Sequence, residues 1–326
     1  MTLSTNLVIL LAALIADRIA GDPEGVWDRI PHPVVVFGRL IGFCDERFNR
    51  PDRSDDWREK SGFLSIAGLL VVASIVGAWL ADIFDFLGIV GMIAEVAVVA
   101  VFLAQKSLAD HVGAVAAGLR DGGLEGGRKA VSMIVGRDPA TLDEAGISRA
   151  AIESLAENAS DGVVAPAFWY GVFGLPGLFA YKMLNTADSM IGHKSEKYRA
   201  FGKASAKLDD LANWVPARLS GMLIVTADAM LRGTENAKKT YEVMRQDANL
   251  HRSPNAGWPE SAMAGALGIS LGGPRVYADD IADEPFLNAA GRRDVGQAEL
   301  DMALRIYWRA MTVFAGVVAG LALLAA

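Results

Sequence analysis

An all-α, polytopic integral membrane protein is what these 326 residues describe, on three counts. Ser61–Ala81 (SGFLSIAGLLVVASIVGAWLA) runs 21 residues without a charge, and a helix needs about 20 such residues to cross a hydrocarbon core. Phe86–Gln105 repeats the pattern with only Glu95 interrupting it, and a tight acidic turn around Asp82 and Asp85 joins the pair. Ala310–Ala326 is a third uncharged run, at the short end of the spanning range.

Leu7–Ala16 starts a further apolar helix, which lengthens through Asp17 and Arg18 if those side chains reach the interface. Met1–Asn6 holds no Lys or Arg and no small-x-small site precedes Asp17, so a retained first helix is expected rather than a signal peptide. The single cysteine, Cys44, excludes an intramolecular disulfide. A net charge of −7 with a pI near 5.2 argues against nucleic-acid binding. The expectation is a single membrane-embedded domain over 1–326. Its apolar helices fall near 7–20, 61–81, 86–105, 162–181, 214–231 and 310–326, about four of them spanning.

The polar segments Gly21–Lys60, Lys106–Asp161, Lys182–Asn213 and Arg232–Arg309 are all rich in Lys and Arg, which places each in the cytoplasm. An even number of crossings must then separate neighbours. Gly162–Tyr181 meets that condition if it dips in and returns. Pro166, Gly171, Gly174, Pro176 and Gly177 suit two short half-helices better than one straight helix. Broken backbone at membrane depth survives only against protein or a water-filled cavity. Trp214–Leu231 carries Arg218 and Asp228 and reads as packed within the protein.

Four clusters carry chemistry. Glu153, Glu157 and Asp161 at i, i+4, i+8, with Asn158 alongside, put three carboxylates on one helix face. That is either a solvated acidic surface or a site for a divalent cation such as Mg²⁺, which takes oxygen ligands and works with phosphates. Lys182, Asn185, Asp188 and Ser189 form one helical stripe, followed by Lys194, Lys197 and Arg199. This set suits a metal–phosphate site, or else a basic loop on lipid headgroups. Asp209 and Asp210 lie four and three residues before Asn213, and either could neutralise Arg218. In AGDPEGVWDRIPHPVVVFGRLIG, prolines hold Asp22 and His32 in extended backbone, with Arg39 beyond. GGLEGGRKA is no phosphate loop, because it lacks the Lys-Ser/Thr ending. Four scattered histidines give no zinc spacing.

Three long blocks, VGRDPATLDEAGISRAAIESLAENASDGVVAPAFW, YKMLNTADSMIGHKSEKYRAFGKASAKLDDLANWVPARL and SPNAGWPESAMAGALGISLGG, closely resemble the adenosylcobinamide-phosphate synthase family of cobalamin biosynthesis, CobD/CbiB. The N-terminal GDP…PHPV…GRLIG resembles that family's opening. Ala159 and His193 depart from its pattern, where a Thr-like and an aromatic residue are usual. The resemblance implies ATP- and Mg²⁺-dependent joining of aminopropanol, or its O-phosphate, to a propionate carboxylate of adenosylcobyric acid. It further implies an enzyme of the bacterial inner membrane with its site facing the cytoplasm, in contact with lipid and with other late cobalamin-assembly enzymes. Under it, Glu157, Asp161 and Asp188 are expected on Mg²⁺ with Asn158 and Asn185 assisting. Lys182, Lys194, Lys197 and Arg199 are expected on phosphates, and Asp209 or Asp210 on the amine as base or orienting group. Asn213, His32, Arg39, Asn255 and Glu260 complete the expected pocket. The competing reading is a transporter for a corrinoid or amino alcohol, since broken apolar segments beside ionisable residues also mark transporters.

Overall fold

The computed structural model describes every residue except Met1, Asp22, Pro23, Asp28, Ile30, 136–138, Ala278, Asp279 and Asp283, and leaves aside the side chains of Glu24, Val26, 275–277 and 280–282. Asp22 and part of the first resembling block therefore lie outside the described residues. Helix α1 (Leu3–Ala20) starts on the Thr2 hydroxyl and ends at Gly21, whose φ of 66° stops it. The short α2 (Glu24–Trp27) precedes α3 (Pro33–Phe48), where His32 is the N-cap and Pro33 opens the first turn. Helix α4 (Asp55–Phe86) is capped by Ser54, with Asp55 and Asp56 favourably placed at the positive end of its dipole. Then come α5 (Ile89–Phe102), α6 (Gln105–Val131) and α7 (Glu144–Asn158). A π-helical turn, Ala159–Val164, leads into α8 (Ala165–Ile191). After α9 (Lys203–Ala212), α10 (Trp214–Arg232), α11 (Thr234–Asp247) and α12 (Gly257–Leu267), four short strands precede the final helix α13 (Gln297–Ala325).

The strands pair antiparallel, β1 (Leu271–Gly272) with β4 (Phe286–Leu287) and β2 (Arg275–Tyr277) with β3 (Asp280–Ala282). An all-α expectation does not contain them. Gly272 and Gly273 take positive φ beside Pro274, and that local chemistry interrupts helix there.

Among the described residues, five stretches are long and apolar enough to cross a membrane: Leu3–Ala20, Asp55–Phe86, Ile89–Val131, Glu144–Ile191 and Gln297–Ala325. Along α4, Phe63, Leu64, Val71, Val72, Ile75, Trp79 and Phe86 are all exposed, a continuous apolar surface suited to lipid and not to water. Trp214–Arg232 is helical as expected but is not among the five.

Three helical stretches reverse on a Gly-x-x-Gly step: Gly88–Gly91 between α4 and α5, Gly123–Gly126 within α6, and Gly174–Gly177 within α8. In each, the first glycine takes φ between 59° and 65°, which L side chains rarely adopt. At the second, an added Cβ would overlap a carbonyl on the incoming arm, that of Phe84, Gly118 and Trp169 respectively. The segment 162–181 is thus two helical arms meeting at Gly174, the break its Gly/Pro content foretold.

The chain divides into two compact units. The first holds Met1–Leu103, Ala165–Asn213 and Val318–Ala326; the second holds Ala104–Val164 and Trp214–Val317. In the first, α8 packs on α1, α3, α4 and α9, and Tyr170 donates to the buried Glu95 carboxylate at 2.7 Å. That bond satisfies one polar pair at membrane depth. In the second, α10, α11 and α12 pack together, and Thr240 and Arg232 both hold the buried Asp228, the former at 2.7 Å.

Candidate active site

In the first unit, α9 packs on the C-terminal arm of α8 and gathers Asn185, Asp188, Asp209, Asp210 and Asn213. The i, i+4 spacing of α9 becomes a direct bond, because Asn213 Nδ2 donates to Asp209 Oδ2 at 2.9 Å. Asn213 in turn accepts at Oδ1 from the Tyr181 hydroxyl at 2.9 Å. Asp209 is buried, and its Oδ1 has no hydrogen-bond partner of ordinary geometry among the described residues. Burial, reinforced by the Asp188 charge and to a lesser degree by Asp210, raises the Asp209 carboxyl to about 7 against the pull of its amide neighbours Asn213 and Asn185. Asp210 is exposed, and burial of part of its side chain raises its pKa while Lys194 opposes the rise.

Beside this set lies a cavity of about 380 Å³ whose walls include Leu70, Trp169, Phe173, Pro176, Tyr181 and Ala212. It is the apolar face of the Gly174 turn. Trp169 is fixed there by its Nε1 donating to the Ala212 carbonyl at 3.2 Å.

Two of the cations after α8 close on carboxylates. Lys197 Nζ meets Asp45 Oδ2 at 2.7 Å, and Arg199 Nη2 meets Asp55 at 3.1 Å. Asn49 bridges Asp45 (2.8 Å) and the Lys197 carbonyl (3.1 Å), and Arg58 donates to Asn49 at 2.9 Å. His32 is the cap of α3, its Nδ1 accepting from Val34 N at 3.2 Å and its ring edge-on to Trp27, while Arg39 is exposed.

In the second unit, Glu153 and Glu157 stay one turn apart on α7 and Asp161 follows on the π-helical turn, but the three differ in burial. Glu153 is buried and accepts from Gly272 N at 2.8 Å, so it holds the start of β1. Glu157 and Asn158 are exposed and Asp161 is half-buried on the π-helical turn. A π turn shifts the helical register and occurs often at functional sites. Asn158 Nδ2 is tied to the Ser154 carbonyl at 2.9 Å. Asn255 accepts from Arg218, and Glu260 is buried 3.6 Å from His251 Nε2.

The sequence pattern of the CobD/Cbib protein family matches residues 10–307. The chain belongs to this family. It is 58% identical over 320 residues to cobalamin biosynthesis protein CobD of Rhizobium meliloti, covering 98% of each chain. The protein of the same name from Brucella anthropi is 54% identical over 313 residues, 96% of each. That from Rhodobacter capsulatus is 46% identical over 315 residues, 95% of this chain and 96% of the relative. No solved structure matches it.

Within this CobD/CbiB family member, sequence reasoning missed Asp45, Asn49 and Arg58, which pin the Lys194–Arg199 stretch. Their partners lie far along the chain, so no local pattern marks them. It also left Arg218 waiting for Asp209 or Asp210. Its bonds in the second unit run instead to Trp214 O and Asn255 Oδ1.

Proposed function

We propose that this protein joins aminopropanol or its O-phosphate to a propionate carboxylate of adenosylcobyric acid at the expense of ATP. The site faces the cytoplasm from the bacterial inner membrane, against lipid and beside other late enzymes of the pathway. The observation that carries the reading is Asp209: a buried carboxyl with one oxygen lacking a partner of ordinary geometry, held by Asn213, which in turn bonds Tyr181 of the apolar cavity wall. A carboxylate does not condense with an amine at neutral pH, because oxide is too poor a leaving group. Transfer of the ATP γ-phosphoryl to the substrate carboxylate gives an acyl phosphate and ADP. The amine then attacks the acyl carbon, phosphate leaves, and the proton lost by nitrogen passes to a base.

Asp209 is our candidate for that base, with Asp210 as the alternative at the exposed end. Asn213 fixes the Asp209 carboxyl plane through Oδ2 and leaves Oδ1 toward the reacting nitrogen. Lys182, Lys194, Lys197 and Arg199 neutralise phosphate oxygens, the last two by exchanging Asp45 and Asp55.

The donor set fits Mg²⁺. Asp188 and Asn185 offer hard oxygens beside Asp210, in an acidic cluster that lacks full compensation. Among the described residues no three or more His, Cys, Asp or Glu side chains are arranged to hold a metal. A Mg²⁺ ion here would rest on one or two carboxylates and take its remaining ligands from substrate phosphates. Glu157, Asn158 and Asp161 are the corresponding candidates in the second unit. When bound, Mg²⁺ would offset charge on the transferring phosphoryl group.

The test is phosphate release by detergent-purified protein. Release that requires the corrinoid acid and the amine together, with stoichiometric amide formed, is the expected result. Corrinoid movement across proteoliposomes without ATP turnover would instead establish the transporter.

A further inference from the structure

Arg218 has no role in the ligase reading above, yet its surroundings are built. Its guanidinium lies over two indoles, 4.2 Å from the Trp214 ring centroid and 4.6 Å from that of Trp258. Two cation–π contacts of this kind restrict where the guanidinium can lie. Nη1 is held by the Trp214 carbonyl at 2.8 Å and by Asn255 Oδ1 at 3.2 Å. Asn255 is itself buried, and its backbone N–H, like that of Ala256, donates to the Ser253 hydroxyl. The SPNAGWPE block thus shapes a turn that presents Asn255 and Trp258 to one arginine.

What is missing is an acceptor. Among the described residues no carboxylate pairs with Arg218, and neither Nε nor Nη2 has a protein hydrogen bond. Those two nitrogens form the side-on fork that matches a carboxylate or phosphate. Trp258 contributes a second donor in the same wall, its Nε1 being buried without a partner. A purely structural cation would be expected to find a carboxylate, since a partly desolvated charge left alone is costly.

We propose that Arg218, held by Trp214, Trp258 and Asn255, is an oxyanion clamp that takes a carboxylate or phosphate of a substrate. The apolar indole walls suit an anion carried on a partly apolar molecule, which favours the corrinoid carboxylate. The clamp rests on the ligase reading for the identity of its ligand.

Equilibrium dialysis of full-length protein in detergent, with cobyric acid and with Mg²⁺·ATP as separate probes, tests it. Arg218→Lys, Arg218→Gln and Trp258→Phe are compared with wild type, with thermal melting as the folding control. The expected result is at least tenfold weaker binding of one probe in both Arg218 variants, the other staying within about twofold. Loss of cobyric acid identifies the carboxylate as the ligand; loss of ATP identifies a phosphate. If Arg218→Gln fails to melt cooperatively, Arg218→Lys and Trp258→Phe decide alone. Equal effects on both probes, or on neither, return Arg218 to packing and leave the ligase reading standing. Wild-type protein that binds neither probe overturns the ligase reading and the clamp with it.

Discussion

Asp209 and Asp210 are adjacent in sequence and opposite in circumstance, one buried and bonded to an amide, the other exposed. Asp209 has a folded-state pKa of about 7 against an ordinary 3.8. As a base it works only when ionised, so turnover should rise with pH through about 7. A profile flat from pH 5.5 to 8.5 would remove Asp209 from that role. The sign for stability is opposite. The fold prefers the neutral acid, so ionising Asp209 costs nothing below the unfolded pKa of 3.8 and progressively more as pH climbs towards 7. Asp209→Asn should therefore abolish amide formation while raising the melting temperature at pH 7.5, a trade seen where function demands an unfavourable charge. A lowered melting temperature would contradict the burial argument. Asp161→Asn makes a separate point. It keeps shape and removes one charge from the π-helical turn, so the Mg²⁺ concentration for half-maximal activity should rise severalfold with folding intact. An unchanged Mg²⁺ titration would take Asp161 off the metal.

At the scale of elements, the three Gly-x-x-Gly reversals differ in how tightly they are packed, and that difference is measurable. Gly123 has a φ of 59° and a ψ of −150° but open space around a built Cβ, so Gly123→Ala meets only backbone strain, about 1–3 kcal/mol. At Gly177 an added methyl would strike the Trp169 carbonyl and the Phe173 side chain, so backbone arms must separate. Overpacking of that kind costs about 1–3 kcal/mol or more, and it also moves Trp169, a wall of the cavity that Tyr181 and Ala212 share. Gly177→Ala should lower both melting temperature and activity. Gly123→Ala should lower melting temperature modestly and leave activity near wild type. Equal effects on activity would mean that the Gly174 turn has no special link to the site.

For the whole molecule, the reversal at Gly174 bears on topology. The uncharged arm Gly162–Phe173 is 12 residues, roughly 18 Å of helix against about 30 Å of hydrocarbon, and the helix that continues it back to Glu144 carries Glu153, Glu157 and Asp161. The return arm reaches Lys182 after seven residues beyond Gly174. A segment that enters and leaves on the same side keeps Lys129 and Lys197, both exposed, on that side. With Cys44 replaced by Ser, single cysteines at those two positions should label identically from intact cells and from inverted vesicles. Labelling from opposite sides would make Gly162–Tyr181 a true span and put the phosphate-binding candidates outside.

Membrane character, the broken segment, the Asp209–Asn213 spacing and the family were legible along the chain, because each is a local pattern. Runs of apolar residues, Gly/Pro content, i, i+4 offsets and long ordered blocks need no partner to be read. The small β-pairings were not legible, since two- and three-residue strands carry too little periodicity. Nor could spacing tell which carboxylate is buried, that Glu153 holds Gly272, or that Lys197 closes on Asp45 across 152 positions of sequence. The Arg218–Trp258 contact likewise joins α10 to a turn some 40 residues on. Burial and partner choice are set by what arrives from elsewhere in the chain, and they decide protonation and which donors and acceptors remain for a ligand. A local pattern can nominate the residues that carry chemistry, but only the packed chain selects among them.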